Sequence, residues 1–318
     1  MPNDSKIIIV ERNFFTIFAN ITFIVPLLKA TAKIFLILLL SAIPSRVYSQ
    51  SLKESLHDDV SFLSDSLNKG REFGEKENLS VAFHINKSFR DAGLWTRFQI
   101  YHSGGKTGRN VIGFTPGFYD NYIVVGAHFD GLGLRDGRYF PGADSNASGV
   151  AGMLALSRMT AHHKSRTGVI FVAFDGYNDD MSGSSFFLEE ICKSYKIDLM
   201  VNLDIIGATS APVREGHPAY LIALGASEYS WQLNSLGRET GIELSYDYYG
   251  SSRFTNLFYR DISDQKWFLK KRIPSVMFTS GITMDTNKTS DTTDKLDYDI
   301  MAQRVKLIGE WLVRFVLR

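Results

Sequence analysis

Two short segments carry the residue types that bind divalent metal ions. The first, at residues 126–130, brings His128 and Asp130 to the end of an apolar run that is typical of a buried strand. The second, at residues 141–149, contains Asp144 and opens a stretch of small and apolar residues typical of a helix. Imidazole and carboxylate groups at the ends of strands and helices are what a zinc site needs. The two segments therefore predict a zinc site.

The elements that must position these residues alternate along the chain. Apolar runs predict strands at residues 96–101, 110–114, 122–127, 167–174, 199–206, 219–224 and 275–278. Periodic apolar residues predict helices at residues 51–68, 80–92, 146–161, 182–195, 230–240, 265–271 and 299–317. Strands without polar alternation, separated by helices, indicate an α/β fold. We expect a single domain with a mostly parallel twisted sheet and helices on both faces.

The predicted topology also suggests which residues meet. In open α/β sheets, sites lie beyond the carboxyl ends of the strands. His128, Asp144, Asp175 and Asp204 all fall at such ends or in the loops that follow them. We therefore expect them to be neighbours in space.

Composition narrows the function classes. The chain has 318 residues, and its formal net charge of +1 gives no indication of a nucleic-acid partner. Its one cysteine, Cys192, excludes an intrachain disulfide and is expected to be a buried structural thiol. The segment Gly104-Gly105-Lys106-Thr107 lacks the first glycine of a phosphate-binding loop, so we interpret it as a turn between strands.

Residues 1–49 have the pattern of a signal peptide or hydrophobic leader. Lys33 precedes an apolar run at 34–40, and Val47 and Ser49 suit a cut before Gln50. A start codon downstream of the first Met and an uncleaved anchor are alternatives, because residues 14–28 are also apolar. We expect residues 50–318 to form the mature domain, exported to the periplasm or the extracellular space. No stable membrane insertion is expected after signal removal.

Ordered motifs extend over nearly all of this predicted mature chain. They stand at residues 70–74, 110–113, 126–130, 141–149, 174–176, 183–184, 202–207, 263–264, 273–274 and 290–295. In these motifs the chain resembles the zinc-dependent exopeptidase family of bacterial leucyl aminopeptidases, glutamate carboxypeptidases and glutaminyl cyclases. The resemblance implies two zinc ions about 3.5 Å apart. It further implies that His128, Asp144 and Asp204 hold the first zinc, and that the carboxylate of Asp130 orients the histidine ring from the second shell.

The same resemblance implies a second zinc site that this chain does not keep. The glutamate pair that should supply a general base and a zinc ligand falls at Tyr177 and Asn178. The late histidine ligand falls at Asn287. Amide oxygens are poor zinc ligands, and a phenol with an ordinary pKa of about 10 is a weak base near neutral pH. We therefore expect at most one zinc ion and no intact general base.

Three functions remain open at this point. The first is a catalytically impaired or inactive aminopeptidase-like protein, a pseudoenzyme that binds peptide or amino-acid ends. The second is an active single-zinc metallopeptidase that hydrolyses N-terminal residues of peptides. In that case Asp179, Asp180 or Tyr177 would have to accept the proton, although Asp179 and Asp180 are better explained as loop or helix-start carboxylates before the helix that begins at residue 182. The third is a non-enzymatic interaction scaffold.

Overall fold

Eight of the strands form one central sheet, and it contains all seven predicted strands. In the computed structural model, which describes residues 51–317, these strands are β1 (Trp95–Ser103), β2 (Lys106–Phe114), β3 (Asn121–His128), β6 (Thr167–Phe174), β7 (Ile197–Leu203), β8 (Tyr220–Leu224), β9 (Glu243–Ser245) and β10 (Ser275–Thr279). Their order across the sheet is β1-β2-β6-β3-β7-β10-β8-β9. A separate hairpin consists of β4 (Leu134–Arg135) and β5 (Arg138–Tyr139). The predicted leader at residues 1–49 lies outside the described residues.

The sheet is mixed, and its four central strands, β6, β3, β7 and β10, are parallel to one another. β3 pairs in parallel with β6 and β7, β7 with β10, and β8 with β9. The pairs β1–β2, β2–β6 and β8–β10 are antiparallel. β1 and β2 are antiparallel because a two-residue turn joins them, formed by Gly104 and Gly105 with φ of 55° and 76°. Such a turn joins antiparallel neighbours only, which confirms the interpretation of this glycine-rich segment as a turn.

Helices cover both faces of the sheet, and the α/β class is confirmed. The helices of eight or more residues are α1 (Leu52–Leu63), α2 (Lys76–Asp91), α3 (Gly149–Thr160), α4 (Ser182–Ile191), α5 (Ser230–Thr240), α6 (Ser252–Arg260) and α8 (Tyr298–Trp311), and the shorter α7 spans Gln265–Lys270. Ile123 and Val125 of β3 pack into one apolar core, while Val124 between them packs into the other. Since both faces are buried, the strand shows no polar alternation.

Several expectations from the sequence need correction. The helix predicted at 146–161 begins only at Gly149, because residues 143–148 form an irregular turn. The strand β9, the helix α6 and the β4–β5 hairpin were not predicted. Cys192 is exposed at the end of α4, so the expected buried thiol is wrong. Among the helices of residues 51–317, none is both long and apolar enough to cross a bilayer.

Candidate active site

His128 and Asp204 meet at the carboxyl edge of the sheet. His128 is the last residue of β3, and Asp204 directly follows the neighbouring parallel strand β7. His128 Nε2 lies 3.7 Å from Asp204 Oδ1. This nitrogen is buried, and it has no hydrogen-bond partner within residues 51–317. A divalent cation with bonds of about 2.0–2.2 Å to each atom would fit a gap of this size.

The other ring nitrogen of His128 faces Asp130. Its Nδ1 lies 3.1 Å from the backbone carbonyl oxygen of Asp130 and 3.8 Å from that residue's carboxylate. Burial alone would lower the pKa of His128, but the carboxylates of Asp204 and Asp130 outweigh it, and the pKa is raised. The ring is therefore oriented chiefly by a main-chain oxygen, while the Asp130 side chain accepts a hydrogen bond from the Tyr177 amide at 3.0 Å.

Asp144 lies in the irregular turn before α3 and contacts main-chain amides. One carboxylate oxygen accepts from Gly207 N at 2.8 Å, and the other accepts from Ala208 N at 3.2 Å. Burial, together with the charge of Asp291, raises the pKa of Asp144 to about 6. Across residues 51–317, no three His, Cys, Asp or Glu side chains are arranged as a ready-made metal site. The structure thus brings His128 and Asp204 together, while Asp144 is held by the backbone at residues 207–208.

Tyr177 covers one face of the histidine. Its ring lies parallel to that of His128, with centroids 3.8 Å apart and an interplanar angle of 14°. Its hydroxyl donates to the carbonyl oxygen of Ile262 at 2.6 Å. Burial, followed by the charge of Asp204, raises the pKa of Tyr177 well above 10. The phenol therefore keeps its proton at neutral pH and donates it to the Ile262 carbonyl oxygen.

The other residues that the sequence predicted for the site lie in different surroundings. Asn178 and Asp179 both line a cavity beside the site. Asp180 extends to the surface and pairs with Lys266 at 2.7 Å. Asn287 has a left-handed backbone with φ of 59°, and its side-chain oxygen accepts weakly from Ser145 Oγ at 3.5 Å. The structure gives Asn178 and Asn287 neutral amide side chains at the positions where two metal ligands were expected.

One buried carboxyl group near the site was not predicted as a site residue from the sequence. Asp264 is fully buried, and burial raises its pKa to about 7 despite the opposing effect of nearby His128. The neighbouring Ser263 donates to Asp204 Oδ2 at 2.5 Å and so fixes that carboxylate. The Ser263-Asp264 pair was noted as a motif, but its burial could not be anticipated because it follows a polar turn rather than an apolar run.

These contacts define what the site can do chemically. The unpartnered Nε2 of His128 opposite a carboxylate oxygen fits one cation. Tyr177, Asn178 and Asn287, the residues that the family resemblance implies for a second metal position, offer no carboxylate and no imidazole.

Comparison with known proteins places these residues in a family context. Residues 110–312 match peptidase family M28. The Escherichia coli (strain K12) protein YfbL, which is uncharacterized, is 28% identical over 290 residues, covering 83% of this chain and 88% of that protein. Aminopeptidase YwaD of Bacillus subtilis (strain 168) is 26% identical over 140 residues, which is 42% of this chain and 29% of that protein.

Solved structures agree on the fold. A zinc aminopeptidase from Bacillus subtilis superposes with a TM-score of 0.68 at 14% identity, covering 83% of this chain and 96% of that one. Fimbriiglobus ruber glutaminyl cyclase superposes with a TM-score of 0.66 at 18% identity, covering 82% and 94%. At these identities the likeness establishes the architecture and leaves the chemistry to be argued from the residues.

Proposed function

Since the chain belongs to peptidase family M28, we propose that it is an aminopeptidase-like protein with a degenerate metal site. In this proposal it binds peptide or amino-acid ends and hydrolyses them poorly or not at all. The observation that carries the proposal is the stacking of Tyr177 on His128, at 3.8 Å between centroids. A tyrosine locked by its hydrogen bond to Ile262 stands where the general base is expected.

The cofactor in this proposal is zinc, with at most one ion per chain. His128 and Asp204 would hold it, and Asp144 would be the third ligand if its carboxylate turns from the amides of residues 207–208. Zinc, when bound, supplies a Lewis acid. Of the residues around it, Ser263 orients Asp204, and the main-chain oxygen of Asp130 orients His128.

The missing proton acceptor explains the expected impairment. The Tyr177 hydroxyl already donates to Ile262 O, and the raised pKa of this phenol keeps its proton in place. General acid–base catalysis contributes roughly 10²–10⁴-fold to a rate. A family member without a base is therefore expected to bind its ligand and turn it over slowly, if at all.

The test is a turnover assay with added zinc. Aminoacyl and short peptide substrates are incubated with the purified protein and with the Asp144→Ala variant, and released amino acids are quantified. The proposal expects the natural protein to release amino acids at, or only slightly above, the background that the variant gives. Turnover far above that background, abolished by the substitution, would overturn it.

A second candidate is an active single-zinc peptidase, and one observation favours it. Asp179 Oδ2 is buried and lacks a hydrogen-bond partner within the described part of the chain. Such a carboxylate beside Asn178 could take a proton in place of the lost glutamate. If so, Asp179→Asn abolishes turnover, whereas Asp180→Asn, whose carboxylate pairs with Lys266, leaves it intact.

Export is part of the proposal and rests on the sequence pattern of residues 1–49. The expected product begins near Gln50 and is found in the periplasm or the medium. Mass spectrometry of the amino terminus of the protein from its native host tests this. Full-length protein recovered from the cytosol would contradict it.

A further inference from the structure

The amino edge of the central sheet, opposite the edge that carries His128 and Asp204, is rich in positive charge. The parallel strands β6, β3, β7 and β10 lie side by side, so all four begin at this edge. Neighbouring strands are about 4.8 Å apart, and the four strand starts therefore span roughly 15 Å. Seven exposed cations lie within five residues before three of these strands: Lys164 and Arg166 before β6, Lys193 and Lys196 before β7, and Lys270, Lys271 and Arg272 before β10.

Few carboxylates offset these cations. At the same four strand starts the acidic residues are Asp120, directly before β3, and Asp198, the second residue of β7. Lys196 Nζ lies 3.7 Å from Asp198 Oδ1, and within residues 51–317 no other of the seven cations has a carboxylate oxygen within 4.0 Å. Seven cations against two carboxylates leave a surplus of five positive charges, whereas the whole chain has a net charge of only +1. The charge of this chain is thus concentrated at one edge of the sheet.

Two aromatic side chains are exposed at the same edge. Phe118, in the loop between β2 and β3, is 97% exposed, and Trp95, the first residue of β1, is 54% exposed. Their ring centroids are 6.4 Å apart. β1 begins at this edge because it is antiparallel to β2, which is antiparallel to β6. Exposed large apolar side chains grouped together indicate an interaction surface.

We propose that this amino edge binds the surface of an anionic membrane. The cations contact the phosphate groups of acidic lipids, while Phe118 and Trp95 enter the headgroup region, where aromatic rings are favoured. A lipid bilayer fits better than a nucleic acid, because a bilayer offers an apolar layer beneath its charges for the Phe118 ring. The binding is peripheral and needs no spanning helix.

The proposed orientation leaves the candidate active site accessible. His128 and Asp204 lie at the carboxyl ends of β3 and β7, whereas the basic residues lie before the amino ends of their strands. A protein bound through its amino edge would therefore present the candidate site to the solvent. The inference goes beyond the proposed function, because it involves neither zinc nor hydrolysis.

The experiment is cosedimentation of the full chain with two kinds of vesicle. One kind is phosphatidylcholine alone, and the other contains about 30% phosphatidylglycerol, which makes its surface negative. Binding to the anionic vesicles is expected to be at least about tenfold tighter, and to weaken in about 0.5 M salt because salt screens the attraction. The leader at residues 1–49 is the same in every variant, so differences between variants report on the amino edge.

Two pairs of matched variants locate the binding surface. Lys271→Gln with Arg272→Gln removes two cations and should weaken binding to anionic vesicles by about 20-fold, at about fivefold per cation. The control, Arg138→Gln with Lys288→Gln, removes two exposed cations that line a shared pocket elsewhere on the surface, and its affinity should stay within about twofold.

The second pair tests the aromatic contribution. Phe118→Ser should weaken binding to the anionic vesicles about tenfold, because the serine side chain gains nothing from the headgroup region. Met284→Ser is its control, since Met284 is 82% exposed in the loop after β10, and it should leave the affinity unchanged. Circular dichroism melting confirms that each variant is folded.

Several outcomes would overturn the assignment. Equal binding to the two kinds of vesicle would do so, as would equal losses in the two double variants or an unchanged affinity of Phe118→Ser. Tighter binding to double-stranded DNA, lost in the Lys271 and Arg272 double variant, would also overturn it and assign the edge to a nucleic acid. These readouts do not depend on turnover, so they succeed or fail separately from the proposed function.

Discussion

The ring of Tyr177 lies flat against the ring of His128, 3.8 Å between centroids, and its hydroxyl is anchored on Ile262. This arrangement links a residue of the loop after β6 to the end of β3 and to the segment before α7. The aromatic ring covers one face of the histidine, while the carboxylates of Asp130 and Asp204 lie near its two ring nitrogens. The consequences for stability, for metal binding and for pH dependence can each be measured.

The anchoring hydrogen bond of Tyr177 should contribute to stability. Tyr177→Phe keeps the stacked ring but leaves the Ile262 carbonyl oxygen without its donor, so we expect a loss of about 1–2 kcal/mol in the free energy of unfolding. Urea denaturation measures it. Tyr119→Phe removes a comparable hydrogen bond, to Pro116 O in a surface loop, and should cost less. Equal losses in the two variants would show that Tyr177 is not specially anchored.

The sequence predicted the fold and the position of the site more fully than it predicted the contacts within the site. Continuous apolar runs such as 167–174 fixed the central strands, and their carboxyl ends correctly placed His128 beside Asp204. The helix α6 was missed although Phe254, Leu257 and Phe258 recur at helical spacing, because the helix is short and none of its residues is fully buried. The hydrogen bonds of Asp144 to residues 207–208 depend on a long-range contact between two loops, which local sequence does not encode.

Restoring the lost side chains should create a second metal position. The triple variant Tyr177→Glu, Asn178→Glu, Asn287→His supplies two carboxylates and one imidazole at the positions where the family resemblance implies them. We expect the zinc content to rise by about one equivalent per chain relative to the natural protein. Elemental analysis after dialysis checks this. The double variant that retains Asn287 is the control, and an unchanged content in the triple variant would contradict the assignment of these positions.

Arg71 should be among the most important residues for stability. Its buried guanidinium donates to the carbonyl oxygens of Leu63, Phe129, Pro141 and Gly142, and so joins α1 to the loops that carry Asp130 and Asp144. Arg71→Met leaves these oxygens without donors, and we expect a loss of about 3–5 kcal/mol. Chemical denaturation measures the loss. The exposed Arg138→Gln should change stability by less than about 0.5 kcal/mol.

Asp175 should make the protein less stable as the pH rises. Burial, followed by the charge of Asp130, raises its pKa from 3.8 to about 8. Between about pH 4 and 8 the Asp175 carboxyl group has lost its proton in the unfolded chain but keeps it in the folded protein. The unfolded state then binds fewer protons, so the contribution of this group to stability falls through that window.

The check is urea denaturation between about pH 5 and 8. Asp175→Asn removes the titrating group, so its stability should fall less steeply with pH than that of the natural protein, by up to about 1 kcal/mol per pH unit. The exposed Asp198→Asn should keep the natural slope. Parallel curves for the natural protein and Asp175→Asn would refute the buried, protonated state of this carboxyl group.

The most direct measurement is the number of zinc ions bound per chain. The purified protein is loaded with excess zinc, dialysed and analysed for metal alongside the His128→Ala variant. An asymmetric site predicts at most one equivalent, lost in the variant because His128 supplies the unpartnered nitrogen. Two equivalents in the natural protein would contradict the account, because Tyr177, Asn178 and Asn287 could then not have eliminated the second position.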